Sequence, residues 1–243
     1  MGLRVEVVDS AEALALAGAN QVADVLDEAP ASSVVVATGR TPIGLYEELA
    51  ARRRAGALDT SRMTAVQLDE YLGLGPDDKR SLLRWMDLLF LEPLGIDPAR
   101  VVTLPTDGEA GGLTAFDLAL EDRGGLDLAI LGLGANGHLG FNEPPTGPDA
   151  GTRVVDLRPE TLEANASYWA DGVEVPRRAV TIGMRQLLDA RQILLLVAGA
   201  SKHAIVRAAI EGPVGPDVPA SFLQVAAGPV TVVVDRAAWE GEA

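Results

Sequence analysis

The sequence predicts an α/β fold, with one domain over residues 1–243 and a doubly wound, mostly parallel, Rossmann-like sheet. The first observation is a set of short apolar runs bounded by glycine, proline or polar residues, which is typical of buried parallel strands. The second is that segments with helical spacing alternate with these runs. The third is that 48% of the 243 residues are hydrophobic, enough for one large core, and no repeat or linker divides the chain.

Strands and helices alternate from the start of the chain. Residues 3–8 alternate well enough for a first strand, and residues 11–26 have helical spacing. Buried strands are predicted at 33–37 and 63–68. Between them, Pro42 suits the first turn of a helix because its missing N–H needs no partner there.

The remaining elements follow in the same alternation. Helices are predicted over residues 81–92, 115–120 and 202–210. Strands are predicted over residues 101–104, 126–130, 153–157, 179–182, 193–198 and 229–234. The polar segment near 157–180 has no strong periodicity, and we expect it to form a lid.

Charge and composition exclude several classes of function. The formal charge of −15 argues against nucleic acid or an anionic membrane surface as a partner, although an anionic small molecule can bind in a locally positive pocket. The absence of cysteine excludes disulfides, thiolate nucleophiles and Cys-ligated metals, and two histidines exclude a His-rich metal site. No apolar run has signal-peptide or transmembrane character, so we expect a soluble, cytoplasmic protein.

The glycine-rich segment 131–144 is the strongest candidate for the chemistry. It follows the strand predicted at 126–130. At the carboxyl edge of a doubly wound sheet, loops meet in a ligand-binding crevice, and glycines let the backbone approach a ligand closely. His138 and Glu143 supply an imidazole and a carboxylate for proton transfer.

The same loop also fits the dinucleotide-binding pattern G-x-G-x-x-G, from Gly132 to Gly137, with Asp156 near the position of a ribose-binding acid. That pattern requires a helix directly after its third glycine. Pro144 and Pro148 prevent a long helix here, so a nicotinamide cofactor is the weaker interpretation.

Polar residues follow three other predicted strands. An anion could bind at the helix start that carries Thr38, Gly39, Arg40 and Thr41. Unpaired N–H groups and the helix dipole favour negative charge there, although an ordinary threonine-capped helix would have the same sequence.

Carboxylates and a lysine mark the other two strand ends. Asp69 and Glu70 follow the strand predicted at 63–68, either as solvated turn residues or with a general base among them. Lys202 follows the strand at 193–198, either as a surface charge or as a point charge for a phosphate.

Four segments match a known family in order and spacing over nearly the whole chain. They are TGRTP at 38–42, LDEYLGL at 68–74, GANGHLGFNEP at 134–144 and GASK at 199–202. In these segments the chain resembles the glucosamine-6-phosphate deaminases of the glucosamine-6-phosphate isomerase/6-phosphogluconolactonase family. The related lactonases share the loop and its histidine, but typically continue with an Ala-Ser-Leu-Phe-Pro type sequence instead of Gly-Phe-Asn-Glu-Pro.

The resemblance implies a cofactor-free hydrolase/isomerase without a metal, which turns glucosamine 6-phosphate and water into fructose 6-phosphate and ammonia. It implies that His138 opens the sugar ring by moving a proton between the ring oxygen and the C1 hydroxyl. Asp69 would then carry a proton from C2 to C1, and Glu143 would orient and polarise His138. These roles suit the residue types, because an imidazole titrates near neutral pH and a carboxylate can accept a carbon-bound proton.

The resemblance also places the phosphate, among Thr38, Gly39, Thr41 and Lys202. Many members of the family have an arginine on the lid where this chain has Ser167. We therefore expect another arginine to replace it. Either Arg40, beside the helix start, or one of the lid residues Arg177 and Arg178 could do so.

Two more positions differ from many family members. Asn136 stands where many have an aspartate close to the histidine, so the charge that steadies His138 would come mainly from Glu143. Val155 stands where a basic residue serves an allosteric activator, so an activator site is not expected. A lactonase-type hydrolase and a non-catalytic sugar-phosphate sensor remain alternative functions. A homo-oligomer is possible. The sequence does not determine which epimer of the sugar is the substrate.

Overall fold

Strands and helices alternate along most of the chain in the computed structural model, which describes residues 2–75, 78–166 and 174–241. The strands in these residues are β1 Leu3–Val8, β2 Ser33–Val36, β3 Thr64–Gln67, β4 Asp69–Tyr71, β5 Val101–Val102, β6 Leu128–Gly132, β7 Arg153–Asp156, β8 Arg178–Thr181, β9 Gln192–Val197 and β10 Val230–Asp235. The helices are α1 Ala11–Glu28, α2 Ile43–Arg54, α3 Leu82–Met86, α4 Glu92–Leu94, α5 Ala110–Glu121, α6 Pro159–Ala166, α7 Met184–Leu188, α8 His203–Glu211 and α9 Arg236–Glu240.

In the described residues, seven strands form one parallel sheet, the main sheet, in the order β1-β10-β9-β6-β2-β3-β5. From β2 the chain moves outward through β3 to β5, and then returns to β6 and moves the other way. The strand order therefore reverses between β2 and β6, which is the position where doubly wound sheets bind ligands. The predicted α/β fold with a mostly parallel, doubly wound sheet is confirmed.

The core lies on both faces of the main sheet. β2 and β9 are buried along nearly their whole length, as their continuous apolar sequences predict. The buried residues of α1, among them Leu14, Val22 and Leu26, belong to the same hydrophobic cluster as those two strands. Ser10 starts α1 by accepting a hydrogen bond from the Ala13 N–H at 3.1 Å.

A second, antiparallel sheet, the small sheet, has the order β4-β8-β7. A separate apolar cluster packs against it, and its buried members are Tyr71, Leu74, Phe141, Leu157 and Ala179. β4 follows β3 after Leu68 alone, so the chain passes from one sheet to the other within a single residue. The solvated-turn interpretation of Asp69 and Glu70 is therefore wrong, because both residues are buried in a paired strand.

The other differences from the sequence prediction are local. The helix predicted over 81–92 is divided into α3, a π-helical turn at Asp87–Leu91 and α4. Phe90 in the wide turn packs on the ring of Tyr46, with ring centroids 4.8 Å apart. The helix predicted over 115–120 begins earlier, at Ala110.

The segment predicted as a lid is partly regular. It contains α6 and the start of β8, while residues 167–173 lie outside the described part of the chain. No helix among the described residues is both long enough and apolar enough to span a membrane.

Candidate active site

A cavity of about 580 Å³ opens at the carboxyl edge of the main sheet. One wall comes from the loops that follow β2, β6 and β9. A second wall comes from β4, from the residues that begin α3 and from α6. The predicted site residues that line the cavity are Thr38, Gly39, Arg40, Thr41, Asp69, Asn136, His138 and Lys202. The edge of the sheet where the strand order reverses thus brings together residues that are far apart in the sequence.

Asp69 and Glu70 are neighbours with different surroundings. Asp69 is 6% exposed, and in the described residues its buried Oδ1 has no hydrogen-bond partner. Burial, and secondly the charge of Glu70, raises the pKa of Asp69 to about 8. Asp69 can therefore exchange a proton near neutral pH, as a general acid–base group must.

Glu70 is instead fully engaged by hydrogen bonds. Its carboxylate accepts bonds from the hydroxyl of Ser81 at 2.7 Å and from the backbone N–H groups of Leu82 at 3.0 Å and Leu83 at 2.8 Å. Gln67 also donates to it at 3.0 Å. Glu70 therefore satisfies the first N–H groups of α3 and fixes that helix to the small sheet.

The imidazole of His138 has Asn136 as its direct partner. Asn136 Oδ1 lies 2.7 Å from His138 Nδ1 and also accepts the backbone N–H of His138 at 3.3 Å. The amide NH₂ of Asn136 donates to Glu143 Oε1 at 3.5 Å. These contacts place the amide oxygen toward the ring, so Nδ1 carries the proton and Nε2 keeps a lone pair.

Glu143 lies farther from the imidazole than the sequence prediction implied. Its Oε1 is 4.0 Å from His138 Nδ1, so it does not orient the ring by a direct hydrogen bond. The charge of Glu143 still acts on His138 and raises its pKa, but burial dominates and lowers the pKa to about 4. His138 is therefore neutral at pH 7, and Asn136 holds its tautomer.

Glu143 also joins this group to the lid. It is not among the described residues that line the cavity. It accepts a short hydrogen bond from the hydroxyl of Thr161 and another from the backbone N–H of Arg158 at 2.8 Å. Because Thr161 lies in the first turn of α6, one carboxylate connects the start of that helix to the His138 group.

Gly134 is required by the close approach of His138. A Cβ atom at Gly134 would lie 2.3 Å from ring atoms of His138, closer than nonbonded atoms approach. The Gly134 N–H also donates to the carbonyl of His138 at 3.0 Å, which closes the loop. The glycine thus permits the position of the imidazole against the backbone.

The loop after β2 lines the cavity directly before α2 begins. In the described part of the chain no side chain caps α2, so the threonine-capped alternative is wrong. Tyr46, buried in the core, donates its hydroxyl to the carbonyl of Ala37 at 2.8 Å and fixes the start of the loop. The hydroxyls of Thr38 and Thr41 and the guanidinium of Arg40 belong to residues that line the cavity.

Lys202 completes this wall and is not a solvated surface charge. Its Nζ donates to the carbonyl of Leu133 at 2.8 Å, and burial lowers its pKa. The alternative lid arginines lie elsewhere. Arg178 is on β8, where it is 3.8 Å from Asp156, and neither Arg177 nor Arg178 is among the described residues that line the cavity. Ser167 lies outside the described residues.

Several residues of the cavity were not singled out from the sequence. They are Tyr71, Lys79, Arg80, Trp85, Glu160 and Asn165. In the sequence they lie close either to the motif that begins at Asp69 or to the expected lid. That proximity does not indicate which side chains face the cavity.

Cofactor and metal binding find little support in this geometry. No helix follows Gly137 directly, and the side chain of Asp156 is 91% exposed on the small sheet. The dinucleotide interpretation therefore lacks its structural context. Among the described residues, no group of three His, Cys, Asp or Glu side chains is arranged to hold a metal ion.

The fold and the cavity define an α/β enzyme in which a carboxyl and an imidazole face a cavity with cationic residues in its lining. This combination suits proton transfer on a small anionic molecule. Within that class, the chain belongs to the glucosamine-6-phosphate isomerases/6-phosphogluconolactonase family, whose model matches residues 7–232.

Similar proteins cover nearly the whole chain. A Rhodopirellula baltica protein named glucosamine-6-phosphate deaminase is 40% identical over 240 residues, or 97% of this chain and 94% of that protein. A Cutibacterium acnes protein of the same name is 39% identical over 97% of this chain and 91% of its own length.

Solved structures of the same family also match this chain. A structure described as a monomeric glucosamine-6-phosphate deaminase matches with a TM-score of 0.91 and 35% identity, over 97% of this chain and 98% of that one. The 6-phosphogluconolactonase of Leishmania guyanensis matches with a TM-score of 0.78 and 21% identity over 100% of both chains, a similarity of fold alone.

Proposed function

We propose that this protein is a glucosamine-6-phosphate deaminase, which converts the amino-sugar phosphate and water into fructose 6-phosphate and ammonia. The main support is the 35–40% identity, over nearly full length, to proteins of that name. The lactonases match at 18–21% identity and share the fold only. The sensor alternative depended on Ser167, whose surroundings are not described.

The first chemical step is ring opening by His138. Its neutral imidazole donates from Nδ1 to Asn136, so Nε2 can take the proton of the C1 hydroxyl and return it to the ring oxygen. A neutral ring with a low pKa accepts and releases this proton without being trapped as a cation. In this role Asn136 positions the ring, and Glu143 stabilises transient positive charge through the amide.

The second step is proton transfer from C2 to C1 by Asp69. The open-chain aldehyde acidifies the C2 hydrogen, and a carboxyl whose pKa is about 8 can both accept this proton and deliver it to C1. As the proton reaches C1, the aldehyde oxygen takes up a proton and the nitrogen gives one up, so the product is a C1 hydroxymethyl group with an imine at C2. Water adds to the imine carbon and ammonia leaves, so the reaction is an isomerisation with deamination. The comparisons support that description and not the name hydrolase.

The phosphate would bind at the wall formed by the main sheet. The support is that Thr38, Gly39, Thr41 and Lys202 all line the cavity, and that the first three directly precede α2. Arg40 lines the same part of the cavity and would supply the guanidinium that the lid lacks at Ser167.

The test is ammonia release from a panel of amino-sugar 6-phosphates, with 6-phosphogluconolactone alongside. We expect glucosamine 6-phosphate or a close epimer to give ammonia and a ketose 6-phosphate without added metal or nucleotide. Faster turnover of the lactone than of every amino sugar would contradict the proposal. The oligomeric state, for which the sequence allows a homo-oligomer, stays a prediction, and the similar solved structure is described as monomeric.

A further inference from the structure

The cavity has a second carboxylate, on the lid helix α6. Glu160 lies in the first turn of that helix and lines the cavity together with Thr161, Ala164 and Asn165. These positions recur with helical spacing, so they form one face of α6. Glu163 of the same helix is exposed and is not among the described lining residues.

Contacts at both ends of α6 hold this face toward the cavity. Near its start, the hydroxyl of Thr161 binds Glu143. Near its end, the side-chain amide of Asn165 donates to the hydroxyl of Tyr71 at 2.9 Å. Leu162 packs against the apolar cluster of the small sheet. Glu160 therefore has a defined place in the lining of the cavity, and a rotation of the helix that moved it away would break these three contacts.

The described lining of the cavity has charged residues of both signs, and cationic residues lie on both walls. The cationic residues are Arg40, Lys79, Arg80 and Lys202, and the acidic ones in the described lining are Asp69 and Glu160. At pH 7 the carboxyl of Asp69 is largely neutral, because burial raises its pKa to about 8. Of the two carboxyl groups in the described lining, that of Glu160 is exposed and that of Asp69 is buried.

We propose that Glu160 binds the 2-ammonium group of the substrate and thereby selects amino sugars over neutral sugars. This inference rests on the proposed function, and it adds the group that recognises nitrogen. For the proton transfer, C2 of the substrate must reach Asp69 on β4, so its nitrogen lies at the wall that also has Glu160 in its lining. A protonated nitrogen on C2 also withdraws electrons and acidifies the hydrogen that Asp69 removes.

An alternative role for Glu160 is purely structural, because an acidic residue in the first turn stabilises a helix through its dipole. That role affects stability and leaves the choice between an amine and a hydroxyl unchanged. A binding experiment with two matched probes therefore separates the two roles.

The probes are 2-amino-2-deoxyglucitol 6-phosphate and glucitol 6-phosphate, which differ at C2 alone and cannot react. Calorimetry would measure both affinities for the unchanged protein, for Glu160→Gln and for the control Glu163→Gln on the same helix. We expect the unchanged protein and Glu163→Gln to prefer the amino probe by about tenfold, the scale of a charge-assisted hydrogen bond discounted for exposure. Glu160→Gln should lose most of that preference and bind glucitol 6-phosphate as before.

An equal preference in all three proteins, or no preference in the unchanged one, would overturn the role of Glu160. Ammonia release from glucosamine 6-phosphate is measured separately on the same preparations. A protein that prefers the amino probe and releases no ammonia would contradict the proposed reaction and leave the ammonium site standing.

Discussion

The cavity has one wall built by the main sheet and another built by the small sheet, and different forces hold the two in place. The loops of the first wall extend from strands that are buried along nearly their whole length, such as β2 and β9. The second wall has a smaller apolar cluster and depends more on individual polar contacts, such as those of Glu70 with α3 and of Glu143 with α6. Single substitutions should therefore loosen the second wall more easily, while the first should respond mainly to steric change or to loss of charge.

The largest effect should come from Asp69 in the small-sheet wall. Asp69→Asn removes the base with almost no change in size, so exchange of the C2 hydrogen with solvent should fall by roughly 100- to 10,000-fold. Binding of substrate should be largely retained. Unimpaired C2 exchange, followed by NMR in deuterated water, would show that another group moves this proton.

The main-sheet wall should be most sensitive at Gly134. Gly134→Ala places a Cβ atom against the His138 ring and should lower kcat by about 100-fold, because small displacements of a catalytic group are costly. The control is Gly147→Ala, where a Cβ atom would have no neighbour within 4 Å. Equal kcat values for the two variants would mean that the imidazole has room to move.

The effect of removing a charge from the same wall should be smaller and confined to substrate binding. Arg40→Ala should raise KM for the phosphorylated sugar by about tenfold, as expected for one charge-assisted contact to phosphate. Adding Ser167→Arg should restore much of it. Arg54→Ala, at the exposed end of α2, is the matched control and should leave KM unchanged. An unchanged KM in Arg40→Ala would place the phosphate elsewhere.

Loss of the contact between α6 and Glu143 should have a smaller effect on the small-sheet wall. Thr161→Val keeps the shape of the side chain and removes one hydroxyl, so kcat/KM should fall by about three- to tenfold. Thr114→Val on α5 removes a hydroxyl that donates to the carbonyl of Ala110 and should have no such effect. A Thr161→Val enzyme with wild-type kinetics would mean that this bond does not position α6 for catalysis.

The smallest effect concerns stability, and its sign follows from the pKa of Asp69. The pKa in the folded protein is about 8, above the ordinary value of 3.8, so the folded state binds this proton more tightly. Stability from this residue is complete below pH 4 and is lost as the pH rises toward 8. Asp69→Asn should therefore raise Tm by roughly 3 to 6 °C at pH 8 and change it little at pH 4, measured by calorimetry. An increase that is equal at both pH values would contradict this linkage.

The sequence predicts the main sheet well because its strands are marked locally. Runs such as Ser33–Val36 and Gln192–Val197 are apolar at nearly every position, which parallel strands covered on both faces require. The strand β4 has no such signal. Asp69 and Glu70 are polar residues whose burial depends on pairing with β8 and on contacts with α3. These are tertiary contacts, which the local sequence of β4 does not indicate.

The site is predictable in its residues and less so in its contacts. The motifs place Asp69, His138 and Lys202 at strand ends, and the fold brings strand ends together. Sequence alone cannot show that Asn136 is closer to the imidazole than Glu143 is, since this depends on the path of one loop. It also cannot show that Glu160 faces inward, because the contacts that orient α6 are tertiary.

The pairing of β1 with β10 has a consequence for how the chain is made. β1 is the edge strand of the main sheet, and its neighbour β10 lies at the other end of the described chain. During synthesis β1 therefore leaves the ribosome long before its partner exists, while β9 stays uncovered on one edge until β10 follows. Because β9 is apolar, its unpaired edge is prone to aggregation in the nascent protein until β10 pairs with it. Chaperones or rapid pairing with β10 would prevent that aggregation.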